Sequence, residues 1–179
     1  MKITYHKASA TIELQQIISL QRKNLYANLT NENRLQQGFV SASHTLSILQ
    51  EMNVVCPHII AKANNAVIGY ALSMHPTFSN KIPLLKPMFL EINSLIPKPE
   101  NYMVMGQICI DKDFRGKGVF RNLYTTMKVA IRNEYASIIT EVDAKNIRSI
   151  NAHRAVGFKH LKTYHSLGQD WELIILKNN

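Results

Sequence analysis

Apolar and polar positions follow two rhythms along this chain, and the switches between them mark its elements. Residues 2–6 read as a first strand. Over residues 10–28, Ile12, Leu14, Ile17, Ile18, Leu20, Leu25 and Tyr26 recur close to helical spacing. A polar stretch, 31–38, reads as loop, and 43–52 as a second helix with Leu46, Leu49 and Met52 on one face. Two apolar runs, 58–62 and 66–74, flank Asn64-Asn65; Asn tolerates the positive φ of a tight turn, so the pair reads as a hairpin. Prolines 76, 83, 87, 97 and 99 punctuate residues 76–101, which read as an insertion over one sheet face with a short helix at 88–95. A strand at 102–110 then feeds a Gly-rich turn and a helix over about 118–133, striped by Val119, Leu123, Met127, Ala130 and Ile131. A strand at 137–142, a short helix capped by Asn146 and closed by Gly157, and a hairpin of 159–167 and 171–176 around Gly168 complete the chain.

The order βααβββαβαββ predicts an α/β fold on a mixed sheet. A length of 179 residues, with no repeat or low-complexity linker, suits a single domain over 1–179. The hydrophobic fraction of 46% is that of a globular chain. No run approaches a membrane span, and the start, Met1-Lys2-Ile3-Thr4-Tyr5-His6, has no apolar signal core, so a cytoplasmic location is expected. Cys56 and Cys109 are too few for a disulfide framework or a metal cluster, and no metal is expected. The formal charge of +9 admits nucleic acid, an anionic cofactor or an acidic substrate. The aromatics are not interleaved with the basic residues as base stacking would need, which argues against nucleic acid.

The chemistry concentrates in Asp111-Lys112-Asp113-Phe114-Arg115-Gly116-Lys117-Gly118-Val119-Phe120. A strand, a Gly-rich turn and a helix N-terminus form an anion site, because glycines admit close approach and the first helical N–H groups lack internal partners. Arg115, Lys117 and Arg121 crowd the end of a helix whose dipole disfavours cations there, an arrangement that makes sense if a polyanion sits in the turn. A phosphate-transferring P-loop is excluded, since Val119-Phe120 stands where Lys-Ser/Thr would be needed.

Arg115-Gly-Lys-Gly118-Val119 resembles the acyl-CoA signature of the GNAT N-acetyltransferase superfamily, Gln/Arg-x-x-Gly-x-Gly/Ala. Asn146-Ile-Arg-Ser149-Ile-Asn-Ala-His153-Arg-Ala-Val-Gly157-Phe158 resembles its second motif, Asn-x-x-Ser/Ala-x-x-x-Tyr/His-x-x-x-Gly-Phe. One Gly-rich loop is a weak signal; two motifs in order with a strand between them are a strong one. The resemblance implies a mixed, mostly antiparallel sheet of six to seven strands flanked by helices and splayed between its two central strands. It implies that the amides of Arg115, Gly116, Lys117, Gly118, Val119 and Phe120 hold the pyrophosphate of CoA, helped by the Arg115 and Lys117 side chains. The backbone of Ile108, Cys109 and Ile110 would run beside the pantetheine arm and polarise the thioester. Asn146, Ser149 and Arg154 would also touch the cofactor, with Asn146 serving first as a helix cap. Two departures stand out: Phe120 replaces a small residue, and His153 stands where Tyr is commonest in the family.

Acetyl-CoA is then the expected donor and a small-molecule or peptide amine the expected acceptor, attacked directly because no motif places a cysteine as acyl carrier. His153 shares a helix face with Ser149 and could protonate the departing thiolate, or could simply pack. Glu141, a carboxylate in an apolar strand, is the first candidate for general base, with a structural ion pair as the alternative. Gln107, Glu91, Phe39 and His75 are candidates for the acceptor pocket; the other readings are that Gln107 satisfies backbone, that Glu91 and His75 are ordinary surface residues and that Phe39 is a core aromatic. A basic module that binds CoA or nucleic acid without catalysis is the alternative function. The C-terminal hairpin offers an edge that a second copy could pair with.

Overall fold

The structure is a computed structural model that describes residues 2–25, 40, 42–96 and 101–178. The elements are β1 (Ile3–Lys7), α1 (Thr11–Asn24), α2 (Leu46–Val55), β2 (Ile59–Ala63), β3 (Ala66–Met74), α3 (Lys86–Leu95), β4 (Tyr102–Ile110), α4 (Val119–Ile131), β5 (Ser137–Asp143), α5 (Ile147–Ala155), β6 (Lys159–Ser166) and β7 (Gln169–Lys177). The strands lie in the order β1-β2-β3-β4-β5-β7-β6, a seven-stranded mixed sheet, mostly antiparallel as expected. The parallel ladder of β4 with β5 is three pairs long, from Tyr102↔Ser137 to Val104↔Ile139, and an early end of this kind is what a splay requires. Among the described residues, no helix is long and apolar enough to cross a membrane.

The chain divides into two compact units, Met1–Ser73 with Met105–Ala130, and Met74–Val104 with Ile131–Asn179. In the first, β2 and most of β3 are buried along their length, which is why they read as near-continuous apolar runs. Leu14, Ile17 and Leu20 of α1, Leu49 and Met52 of α2, and Val119, Leu123, Tyr124 and Met127 of α4 are buried in this unit. Each such side chain contributes roughly 1.5–3 kcal/mol. In the second, Met88, Phe89 and Ile92 of α3, Ile138 and Ile139 of β5, and Leu173, Ile174, Ile175 and Leu176 of β7 are buried.

Three boundaries differ from the sequence expectation for identifiable reasons. Helix α1 stops at Asn24 rather than near 28, because Leu25 takes extended geometry and bridges Val40, whose N–H donates to the Asn24 carbonyl at 3.0 Å. Helix α2 starts at Leu46 because Thr45 is its cap, its hydroxyl accepting from Ile48 N–H. Helix α3 starts at Lys86, two residues earlier than expected, with Pro87 tolerated in the first turn. Asn64 carries the expected positive φ at the β2–β3 turn. Tyr26, the expected loop 31–38, Phe39, Pro97 and Pro99 lie outside the described residues.

Candidate functional site

In the first unit, the end of β4 is tied to β3 by the Asp111 N–H, which donates to the Ile68 carbonyl at 2.8 Å. The Asp111 side chain then caps a single 3-10 turn, Lys112–Phe114, by accepting from Asp113 N–H. Gly116 and Gly118 follow with φ of +73° and +77°, left-handed values that cost an L-residue roughly 1–2 kcal/mol. This backbone path turns the chain into α4, whose first hydrogen bond runs from Asn122 N–H to the Gly118 carbonyl. Among the described residues, the N–H groups of Gly116, Lys117, Gly118 and Val119 have no backbone acceptor. A Cβ added at Gly116 would meet nothing within 4 Å, and one at Gly118 would meet only Asn122 Nδ2 at 3.8 Å, so the space over the turn is open. Four consecutive donors at the positive end of a helix dipole form an anion cradle. Gly69 of β3 backs it: a Cβ there would stand 3.2 Å from Val119 Cγ1 and 3.4 Å from the Cys109 carbonyl. Nothing in one sequence distinguishes Gly69 from any other strand glycine.

The basic side chains of the loop divide in their roles. Arg115 is turned back onto the fold, its Nε donating to the Ile110 carbonyl at 3.0 Å and its guanidinium to Asn24 Oδ1 at 2.6 Å. It thus braces the end of β4 against the end of α1. Lys117 is exposed, its ammonium 5.3 Å from the Phe114 ring centroid. Phe120, the bulky departure from the first motif, packs edge-on against Tyr124 one helical turn on, at 5.2 Å between centroids. Its ring therefore lies along α4 rather than filling the turn.

Over its last residues β4 alternates strictly. Met105, Gln107 and Cys109 are buried, while Gly106, Ile108 and Ile110 keep part of their surface in solvent. Gln107 is the hub of a polar network. Its Oε1 accepts from Tyr70 Oη at 2.6 Å and from Gln21 Nε2 at 2.7 Å, and its Nε2 donates to the Ala42 carbonyl at 2.8 Å. Gln21 in turn accepts the His44 N–H at 2.7 Å and donates to His44 Nδ1 at 2.8 Å. Gln107 thus satisfies one backbone carbonyl, that of Ala42, and is held by the Tyr70 and Gln21 side chains. Burial pulls His44 down to about 4, so the ring is neutral with its proton on Nε2. Burial pushes the Cys109 thiol up to about 12, which keeps it protonated and a poor nucleophile.

In the second unit, Glu141 of β5 is half-buried, and burial raises its carboxyl to about 7 despite a hydrogen bond from Tyr164. The Tyr164 hydroxyl, from β6, donates to Glu141 Oε2. Lys162, two residues before Tyr164, pairs with Glu91 of α3 at 2.6 Å. The partner found for Glu141 is thus a tyrosine hydroxyl and not the cation of the ion-pair alternative, whereas Glu91 is matched to a lysine. His153 is buried; its Nδ1 donates to the Ser149 carbonyl at 2.8 Å and its ring stands edge-on to Phe158. Burial lowers it to about 4, so it is neutral with its proton turned to its own helix. Asn146 caps α5 by accepting from Ser149 N–H, as the sequence indicates. Arg154 pairs with Glu172 at 3.2 Å on the surface. His75 caps the 3-10 turn Pro76–Phe78, its Nδ1 accepting from Thr77 N–H. Phe39 lies outside the described residues. Tyr164, Tyr70, Gln21 and Asn24 escaped the sequence reading, since their partners are set by strand register and helix packing and no motif spacing announces them. Among the described residues, no three His, Cys, Asp or Glu side chains are grouped as a metal ion would need.

Comparison with known proteins returns to the loop and the second motif. A family model described as the acetyltransferase (GNAT) family matches residues 24–158. No curated protein sequence matches significantly. Among solved structures, a chain of the NatC complex bound to Gag peptide and CoA is similar with 17% identity, a TM-score of 0.69 and 99% of each chain covered. An N-acetyltransferase from Staphylococcus aureus Mu50 is similar at 19% identity, 100% of each chain and a TM-score of 0.66. YncA of Salmonella typhimurium, in a structure with its cofactor acetyl-CoA, is similar at 15% identity, with 99% of this chain and 94% of that one covered and a TM-score of 0.66. At these identities the likeness is one of fold. The family model, however, spans three quarters of the sequence, from the end of α1 through the open-amide turn to the Gly157-Phe158 that closes the second motif, and the chain belongs to the acetyltransferase (GNAT) family.

Proposed function

We propose that this protein transfers acetyl from acetyl-CoA to a primary amine by direct attack of the amine on the thioester. The observation that carries the reading is the run of N–H groups from Gly116 to Val119 that, among the described residues, have no acceptor and lie beneath open space. These donors fit a diphosphate, which needs several convergent hydrogen bonds and no counter-charge buried with it. Lys117, exposed beside them, adds positive charge. Arg115 supports the same site from behind by holding the Ile110 carbonyl. Asn146, Ser149 and Arg154 keep a cofactor-side role only as secondary contacts, since each already has a partner within its own unit.

Acetyl-CoA is a substrate and supplies an acyl carbon already activated as a thioester. Backbone N–H groups near Ile108 to Ile110 stabilise the oxygen that gains charge during attack, a large term in acyl transfer. Glu141 is the general base, because a carboxyl near 7 is matched to removing a proton at neutral pH. The amine proton goes to Glu141, the nitrogen lone pair to the acyl carbon, and the sulfur leaves with the electrons of the carbon–sulfur bond and is protonated from solvent. His153 is assigned to packing, since its one ring proton faces the Ser149 carbonyl. The buried, protonated thiol of Cys109 speaks for direct attack over an acyl-cysteine route.

The acceptor is a small-molecule or peptide amine, and the likeness to a chain of the NatC complex, which is bound to Gag peptide and CoA, is the reason to include short peptides alongside small amines in the screen. Calorimetric titration with CoA, followed by thiol release from acetyl-CoA across that screen, tests the reading. Saturable CoA binding and amine-dependent thiol release are expected. A protein indifferent to CoA, or one that binds DNA or RNA with a steep salt dependence in its place, rejects it.

A further inference from the structure

Strand register places more on the Glu141 face of the second unit than the base itself. Glu141 lies opposite Leu173 on β7, and Asp143 opposite Trp171. On the far side of β7, Lys162 also pairs with Leu173, and Tyr164 with Trp171. Residues paired across antiparallel strands share a face, so Glu141, Lys162 and Tyr164 stand on the same side of this part of the sheet. That alignment is set at the β6–β7 turn, where Ser166 faces Gln169 across Leu167-Gly168. The β6–β7 register shifts between His160 and Lys162, with Leu161 as the extra residue. The bulge lies beyond Lys162 from the turn, so it re-aims Lys159 and His160 and leaves Lys162 and Tyr164 in the turn's register.

We propose that Tyr164 is the positioning residue for Glu141: its hydroxyl holds Oε2, leaving Oε1 as the oxygen that receives the amine proton. The proposal rests on the reading of Glu141 as general base. Among the described residues Oε1 has no hydrogen-bond partner, so the carboxyl is held at one oxygen and open at the other. The charged and titratable groups on this face are few. Beside Tyr164, β6 sends Lys162, which is neutralised by Glu91 of α3, and β5 sends Asp143, whose Oδ1 accepts from Lys145 N–H. From β7 come the uncharged Leu173 and Trp171, while Glu172 alternates to the opposite face and pairs with Arg154. Tyr164 is therefore the group that contacts the carboxyl directly. A donated hydrogen bond favours the ionised carboxylate, so it opposes the effect of burial.

The test is Tyr164→Phe, which keeps the ring and removes the hydroxyl. Carbon-13 NMR of protein labelled at glutamate Cδ follows the Glu141 titration, the resonance being identified by its loss in Glu141→Gln. The expected result is a Glu141 midpoint raised by about one pH unit or more. The acid limb of kcat/KM, from thiol release with acetyl-CoA and the fastest amine of the screen, should move up with it, and the two rates should converge at high pH. A midpoint that Tyr164→Phe leaves in place overturns the proposal. So does a rate lowered equally at every pH, which marks a merely structural loss. A midpoint that moves while the limb stays, together with a Glu141→Gln enzyme of full rate, instead rejects Glu141 as the base and the proposal with it.

Discussion

Three glycines give the cofactor assignment an internally controlled test. Gly116, Gly118 and Gly168 have φ of +73°, +77° and +77°. A Cβ at Gly116 or Gly168 would meet nothing within 4 Å, and one at Gly118 only Asn122 Nδ2 at 3.8 Å. Alanine therefore carries the same penalty at all three: left-handed strain of roughly 1–2 kcal/mol, with no steric clash added. In urea denaturation each variant should lose stability by about that amount. Coenzyme A should tell them apart. At the two loop positions the new methyl stands where a phosphate oxygen would approach the amides, whereas Gly168 lies in the β6–β7 turn. Loss of one charge-assisted hydrogen bond is worth roughly 1.5–3 kcal/mol. The CoA dissociation constant of Gly116→Ala and Gly118→Ala should then rise roughly ten- to hundredfold by calorimetry, with Gly168→Ala at the wild-type value. Two loop variants that bind CoA as the parent does, with the expected loss of stability, would refute the cradle. A Gly168→Ala protein weakened as much as they are would show that strain alone was being measured.

Cys109→Ala should keep thiol release within about twofold and lose roughly 1–2 kcal/mol of stability from the small void, and an acetyl adduct found by mass spectrometry in the parent but not the variant would overturn direct attack. His58 is buried with its Nε2 donating to the Leu49 carbonyl and its Nδ1 accepting from Ser73 N–H, and burial lowers it to about 4. Because the folded value lies below the ordinary one, its contribution is complete above pH 6.5 and is lost as the pH falls towards 4. That amounts to roughly 3 kcal/mol, so denaturation of His58→Gln between those limits should show a shallower acid loss than the parent, and parallel profiles would contradict the assignment. Glu141, raised to about 7, acts with the opposite sign. Folding gains stability from its protonation as the pH falls from 7 to its ordinary 4.5, so Glu141→Gln should steepen the acid loss seen in the same measurement.

How much of this was legible in the sequence follows from the range of each interaction. The anion turn is local: two glycines, an aspartate cap and a helix start lie within ten residues, and each takes the conformation its chemistry demands. The Asn146 cap and the left-handed Gly157, φ +106°, are local in the same way. The interior strands were readable because burial on both faces forces them apolar. Side-chain direction was another matter. Arg115 is a cation in a phosphate-binding pattern, yet its guanidinium is spent on Asn24 and the Ile110 carbonyl, on an element 91 residues away in sequence. Gln107 and Gln21 are 86 residues apart and meet only because α1 packs on the buried side of β4.

The Glu141–Tyr164 pair marks the boundary of sequence reading most clearly. A polar residue in an apolar strand was enough to single out Glu141, because an unpaired carboxylate there is costly. Its partner could not be named, since pairing passes through β7 and depends on the register of the β6–β7 hairpin. A one-residue slip of β6 along β7 would change no residue of the pair, yet alternation would turn Tyr164 from Glu141 to the other face of the sheet. The register of β6 against β7 thereby decides which side chain reaches the carboxyl that β5 presents, and the proton transfer proposed for Glu141 depends on register as much as on residue identity.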